Sequence, residues 1–411
     1  MDKKRIALIV GFLIITILLG YLLYRIFFAT KTVDIGTGTS PSGEAGQFPA
    51  SGEGSGVIEQ GEGGAVTLPT VGTVPGTETN FEENINVVEE DTNVNLLVDA
   101  TVISPQKDSV GVAKFYNQED GKFYRLMDDG VVKPLSDQVF YEVQNATWSP
   151  TKNESIIEYP DGSNIYYNFD TKKQVTLPQH WQEFTFSNTG DKIASKSMGF
   201  SPENRWLVTS DPDGNNATAI EAMGTNAYKV IMDWSPNKQV VALSRTGEIL
   251  GNDRQEVLLV GLNGENFKSI IVEGRDLKTE WSPSGDKLLH SVYSSRSNFQ
   301  PELWIVNAQG DSIGTGRKLL NVNTWADKCT FADDRFIYCG VPTSLPNGSG
   351  FVPELTNSIP DKLYKIDTQT GLKKEIIMDV PHTIDTLFLD KSGKKIYFTD
   401  KSQVGLFNVE L

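Results

Sequence analysis

The chain of 411 residues contains two cysteines, Cys329 and Cys339, and three histidines, His180, His290 and His382. That is too little soft or imidazole ligand for a zinc finger, an iron–sulfur cluster or a histidine-built metal centre, so no metal and no cofactor is expected. Positive charge is scarce where it would matter for phosphate binding. No Lys or Arg stands between Lys31 and Lys107, an interval with twelve acidic residues, and the formal charge of the whole chain is −16. Without a basic stripe, nucleic acid is a poor ligand. Catalytic signatures are also missing: there is no Gly-x-Ser-x-Gly elbow, no His-Glu-x-x-His helix, no phosphate loop and no dinucleotide fingerprint.

One long apolar run is present, and only at the start. Lys3, Lys4 and Arg5 precede apolar residues from 6 to 23 that continue past Arg25 to Phe28, enough to cross about 30 Å of hydrocarbon as a helix. Residues 1–30 are expected to be a cytoplasmic tip and a retained transmembrane signal anchor; a cleaved signal peptide is the alternative, but no Ala-x-Ala-like site follows. The basic cluster predicts a cytoplasmic N-terminus and an extracytoplasmic remainder at the cell membrane. Residues 31–80 are Gly, Ser, Thr, Pro and Glu with few large apolar side chains, as in 36–43, and read as a disordered linker.

From 81 to 411 the sequence repeats. The fullest copy, Glu280-Trp281-Ser282-Pro283-Ser284-Gly285-Asp286-Lys287, has weaker relatives at 146–150, 185–192 and 233–236, and degenerate ones at 102–105, 330–334 and 387–393. Seven anchors result: Ile103, Trp148, Phe186, Trp234, Trp281, Phe331 and Phe388, spaced 45, 38, 48, 47, 50 and 57 residues apart. One four-stranded blade per repeat is the natural unit at that period, so the fold class expected is an all-β, seven-bladed β-propeller. In the fifth repeat the strands are predicted at 279–281 (A, innermost), 287–293 (B), 302–307 (C) and 318–321 (D, outermost). Strand C recurs as an aromatic-aliphatic run at 123–126, 165–168, 206–208, 257–260, 303–306, 363–366 and 406–409. The Asp211-Pro212-Asp213-Gly214-Asn215 run reads as a tight C–D hairpin in preference to a calcium loop. Since the chain stops after strand C of the last repeat, the alternating segment 84–90 is expected to supply the missing outer strand and close the ring.

The Trp-Ser-Pro-x-Gly-x-Lys unit with its following aromatic strand resembles the TolB-type propeller repeat, also seen in the N-terminal propellers of dipeptidyl peptidase IV relatives. The resemblance covers about 103–411 and implies a fold. TolB's separate α/β domain and the peptidases' hydrolase domain have no counterpart here, so neither peptidase activity nor TolB's lipoprotein partner is implied.

Cys329 and Cys339 flank the A–B hairpin of the sixth repeat. If Phe331 faces Ile337, the cysteines stand opposite each other and a cross-strand disulfide is possible in an oxidising compartment; two buried thiols are the alternative.

In a propeller, the D–A and B–C connections share one face. The B–C loops at 197–205, 245–256, 293–301 and 341–360 are long, the last containing Leu345, Phe351, Val352 and Leu355. Six residues before each anchor stand Leu97, Glu142, His180, Tyr228, Arg275, Trp325 and His382, a ring of aromatic and charged groups at the channel mouth. The candidate binding residues are therefore Glu142, His180, Tyr228, Arg275, Trp325, His382 and Phe351. His180 and His382 fall three blades apart, too far to share a metal, and His290 sits inside strand B. The function these features point to is a membrane-anchored, extracytoplasmic module that binds a protein or envelope glycan. The alternative is a propeller hydrolase or lyase using carboxylates at the channel mouth.

Overall fold

The computed structural model describes residues 94–411, residue 266 excepted. The anchor, the linker and the closing segment expected at 84–90 lie outside the described residues, among which no helix is long and apolar enough to cross a membrane. The described residues form seven antiparallel four-stranded sheets, a seven-bladed propeller. Blade 1 has strands Val102–Lys107, Ala113–Asn117, Lys122–Leu126 and Val132–Pro134; blade 4 has Val230–Met232, Val240–Ser244, Gln255–Gly261 and Ile270–Val272. Blade 5 has Arg275–Trp281, Lys287–Tyr293, Pro301–Asn307 and Lys318–Leu319, and blade 6 has Cys329–Phe331, Phe336–Pro342, Asp361–Asp367 and Lys373–Ile376.

The repeat motif makes the A–B turn and the seam. In blade 5, Pro283 cannot donate to a ladder and Gly285 takes φ 73°, so strand A stops; the Ser282 amide donates to the Lys287 carbonyl at 3.0 Å. Ser282 and Ser284 hydroxyls donate to the Asp286 carboxylate at 2.9 and 2.6 Å, which closes the turn on itself. The anchor just before this turn packs onto the preceding blade. Trp148 lies against Tyr116 and Phe123, Phe186 against Ile156 and Tyr166, and Trp234 against Ala194 and Leu207. Trp281 lies against Val240 and Val257, and Phe331 against Leu289 and Leu303. Fully burying such side chains stabilises each seam by roughly 2–3 kcal/mol.

Two anchors stand elsewhere. In blade 1 the A–B turn begins at Asp108, whose amide donates to the Val112 carbonyl, so the pre-turn position is Lys107 and Ile103 lies four residues too early. The Ser104-Pro105 pair instead marks a bulge inside strand A, with Ser104 at φ 48°. Its carbonyl accepts from the Trp148 indole at 2.9 Å, locking the seam from the other side. In blade 7 the turn begins at Asp390, so Leu389 takes the pre-turn position and packs on blade 6, while Phe388 faces Val98 and Phe115 next to blade 1.

Closure is by the N-terminal strand Val94–Val98. It pairs antiparallel with Leu406–Glu410, Val94 opposite Val409 and Val98 opposite Leu406, as the outer strand of blade 7. Three residues, 99–101, then cross to strand A of blade 1, so only a strand ending beside Val98 can make so short a connection. Leu97, expected in a D–A connection, is part of this strand. The cysteine hairpin has the expected register, Cys329 opposite Cys339 and Phe331 opposite Ile337, and the disulfide is formed.

Candidate functional site

The B–C loops of blades 4, 5 and 6 are joined into one surface. The blade 4 loop, 245–254, is a narrow hairpin: Leu250 N–H donates to Arg254 C=O at 3.0 Å and Glu256 N–H to Glu248 C=O at 2.9 Å, with Gly251 near the tip at φ 118°. Its Asp253 carboxylate accepts from the Ser295 amide at 3.2 Å and from the Ser295 hydroxyl, tying it to the blade 5 loop. Those hydrogen bonds, the hydroxyl's first, hold the Asp253 carboxyl below its ordinary range. The blade 5 loop contains two consecutive left-handed residues, Asn298 (φ 53°) and Phe299 (φ 57°), a strain of order 1–3 kcal/mol each. It is held open by the blade 6 loop: Gly348 N–H donates to Asn298 C=O at 3.1 Å and Gly350 N–H to Phe299 C=O at 2.7 Å. Gly350 is required for this approach, because a Cβ there would stand 2.4 Å from the Tyr293 Cβ. Tyr293, Phe299 and Phe351 then form a ring cluster with centroids 5.7, 5.8 and 6.4 Å apart. Phe351, Phe299 and Leu355 nonetheless remain exposed, an apolar patch of the kind that marks interaction sites.

Beside this patch, between the blade 4 hairpin and the start of blade 5, lies a cavity of about 320 Å³ lined by Tyr228, Lys229, Arg245, Asp253, Arg254 and Arg275, among others. Strand A of blade 5 is bulged between Arg275 and Lys278, with Asp276 at φ 54°, and Arg275 reaches the hairpin to donate to the Asn252 carbonyl at 3.1 Å. Arg245 donates to the Tyr228 carbonyl at 3.3 Å. A second cleft of about 300 Å³, lined by Gln300, Asn323, Thr343 and Leu345 among others, separates blades 5 and 6.

A distinct group lies on the innermost strands. Asp233 accepts from the Thr279 hydroxyl, and Lys278 pairs with Asp327 at 2.6 Å. Burial pushes the Asp233 carboxyl up to about 6. Burial, together with the charges of Asp233 and Asp327, pushes Glu280 up to about 8. These residues directly precede the anchors Trp234 and Trp281; in an extended strand the neighbour of a seam residue faces the other way. Asp-Trp and Glu-Trp in consecutive repeats were the sequence signal for them.

Of the residues expected at the mouth, Tyr228 and Arg275 share the 320 Å³ cavity, and Phe351 belongs to the adjacent patch. Glu142 and His180 are exposed on other D–A connections and do not meet the rest. Trp325 and His382 are not on the rim at all: both are buried. His382 Nδ1 bonds Asp400 at 2.8 Å between the rings of Phe398 and Phe407, and its carbonyl accepts from Asp361 N–H. Asp361 in turn pairs with buried Lys328 at 2.6 Å and accepts from Ile384 N–H, so this group knits blade 6 to blade 7. His290 is fully buried, and its imidazole is pushed down to about 4, which keeps it neutral. Among the described residues no group of three or more His, Cys, Asp or Glu is placed to hold a metal ion.

No family model matches the chain, and no curated protein is significantly similar to it. Among solved structures, an oligogalacturonate lyase in complex with manganese superposes with TM-score 0.53 at 13% identity, covering 77% of this chain and 93% of that one. The tricorn protease gives 0.49 at 10% identity over 78% of this chain and 34% of its own. The β-propeller domain of the trilobed protease from Pyrococcus furiosus gives 0.43 at 13% identity over 63% and 78%. At 13% identity the first of these shows a likeness of fold alone, in keeping with the seven four-stranded blades of this chain.

Proposed function

We propose that the chain is a membrane-anchored, extracytoplasmic propeller that binds a protein or envelope glycan through the joined B–C loops of blades 4–6. The observation that carries this is the mutual bracing of the three loops. Strained backbone at Asn298 and Phe299 is held by hydrogen bonds from another blade, leaving Phe299 and Phe351 presented to solvent. Strained backbone held by neighbouring structure clusters at binding sites. The apolar run at 6–28 and the cation-free stretch after Lys31 support the anchoring and orientation. The likeness of the repeat to TolB-type propellers speaks to blade construction and names no ligand. The test uses the full-length chain in its membrane, with a photoreactive residue at Phe351 or, as a control on the opposite face, at Lys172 in the C–D turn of blade 2. Specific crosslinks from 351 and none from 172 are expected; crosslinks from 172 alone would put the binding face elsewhere.

The raised carboxyls of Asp233 and Glu280 favour a second reading, a hydrolase or lyase in which a carboxyl kept neutral near pH 7 serves as general acid beside an ionised neighbour. Glycan cleavage abolished by Glu280→Gln would establish it, and cleavage unaffected by that change would remove it.

A further inference from the structure

Within a chain of charge −16, four cations, Lys229, Arg245, Arg254 and Arg275, converge on one cavity that contains a single lining carboxylate, Asp253. That carboxylate is already engaged by Ser295. Arg254 shares Glu273 with Arg317, at 3.4 and 2.8 Å. Lys229, Arg245 and Arg275 form no ion pair among the described residues; Lys229 lies 5.8 Å over the Tyr228 ring, and the buried Arg245 Nε has no hydrogen-bond partner. Cations without an ion partner favour an anionic oxygen, and the guanidinium fork fits a carboxylate best. The rest of the wall includes Ile249, Asn252, Gln255 and Tyr228, whose ring is 70% exposed. At about 320 Å³ the cavity is at the small end of ligand sites.

We propose that this cavity binds a carboxylate-bearing saccharide residue, the carboxylate between Arg245, Arg275 and Lys229 and the sugar ring on Tyr228. The inference rests on the reading of the blade 4–6 face as a binding surface and gives one part of it a ligand class. The hairpin positions the cations in advance: Arg275 is fixed to Asn252 and Arg245 to the backbone of Tyr228, so little ordering remains to be done on binding.

The test is calorimetric titration of the full-length protein with a glucuronate-containing disaccharide, its methyl ester and tetraglutamate, at low and high salt. The acid saccharide is expected to bind about tenfold more tightly than its ester, with the difference shrinking at high salt. Arg275→Ala and Lys229→Ala, both away from the core, should each weaken the acid form about tenfold and leave the ester unchanged; Tyr228→Ala should weaken both. Equal binding of acid and ester, no binding of either, or preference for tetraglutamate overturns the proposal. Loss of saccharide binding with crosslinking from Phe351 intact would overturn this inference alone, whereas absence of both would remove the binding face itself.

Discussion

Single residues set how this propeller responds to pH, and Glu280 is the most informative. Its carboxyl is raised from an ordinary value of 4.5 to about 8, and that of Asp233 from 3.8 to about 6, so between those values the folded chain holds protons that the unfolded chain has released. The stability these groups contribute is fully present below the unfolded values and is lost as pH rises through the folded ones. His290 works in the opposite sense. Its folded value is depressed from 6.5 to about 4, so its contribution is present above 6.5 and lost as pH falls through 4. We expect Glu280→Gln to unfold at higher denaturant concentration than the wild type at pH 9, with the gap closing toward pH 5; a variant less stable at pH 9 would show that Glu280 is stabilised as a carboxylate. None of this was legible as chemistry in the sequence, where Asp233 and Glu280 read only as neighbours of anchors. Their environment is set by residues from three blades, 233, 280 and 327, the last on the 3₁₀ turn that leads into blade 6. The same holds for the cavity, whose cations span 229 to 275: long-range convergence leaves no local pattern. Two groups in the histidine and tryptophan series were misplaced for a definite reason. Counting six residues back from an anchor passes through bulges and short 3₁₀ turns, and so loses phase at Trp325 and His382.

At the scale of elements the sequence was far more readable, because turn and strand rules are local. Strand B of blade 5 falls at 287–293, as expected, since Pro283 and Gly285 dictate where the hairpin turns. The Cys329–Cys339 register followed once Phe331 was set opposite Ile337, the pairing that the hairpin has. Ile103 misled because Ser-Pro suits a bulge as well as a turn. The disulfide pins a hairpin whose strand A is only three residues long. Closing a loop of ten residues' separation stabilises by roughly 2–3 kcal/mol in the chain-entropy model. Reduction, or the pair Cys329→Ser and Cys339→Ser, is expected to lower the unfolding free energy by about that amount in denaturant titration. An unchanged midpoint would mean that the strand ladder and the Lys328–Asp361 pair secure this blade without the disulfide.

For the molecule as a whole, seven like blades leave a ring whose structural and functional parts are divided. Seams are carried by the repeated anchors and closure by the single Val94–Val98 strand, while the distinctive chemistry sits in the non-repeating loops of blades 4–6. That division explains why the fold was legible and the ligand was not: a repeat advertises itself by recurrence, and a site built from its exceptions does not. The central claim is that those three loops form one preorganised surface, and amide hydrogen exchange on the full-length protein tests it most directly. The amides of Ser295, Gly348 and Gly350, which donate across blades, should exchange slowly, like those of the neighbouring strands. Exchange at the rate of an unstructured loop at all three would contradict a preformed site.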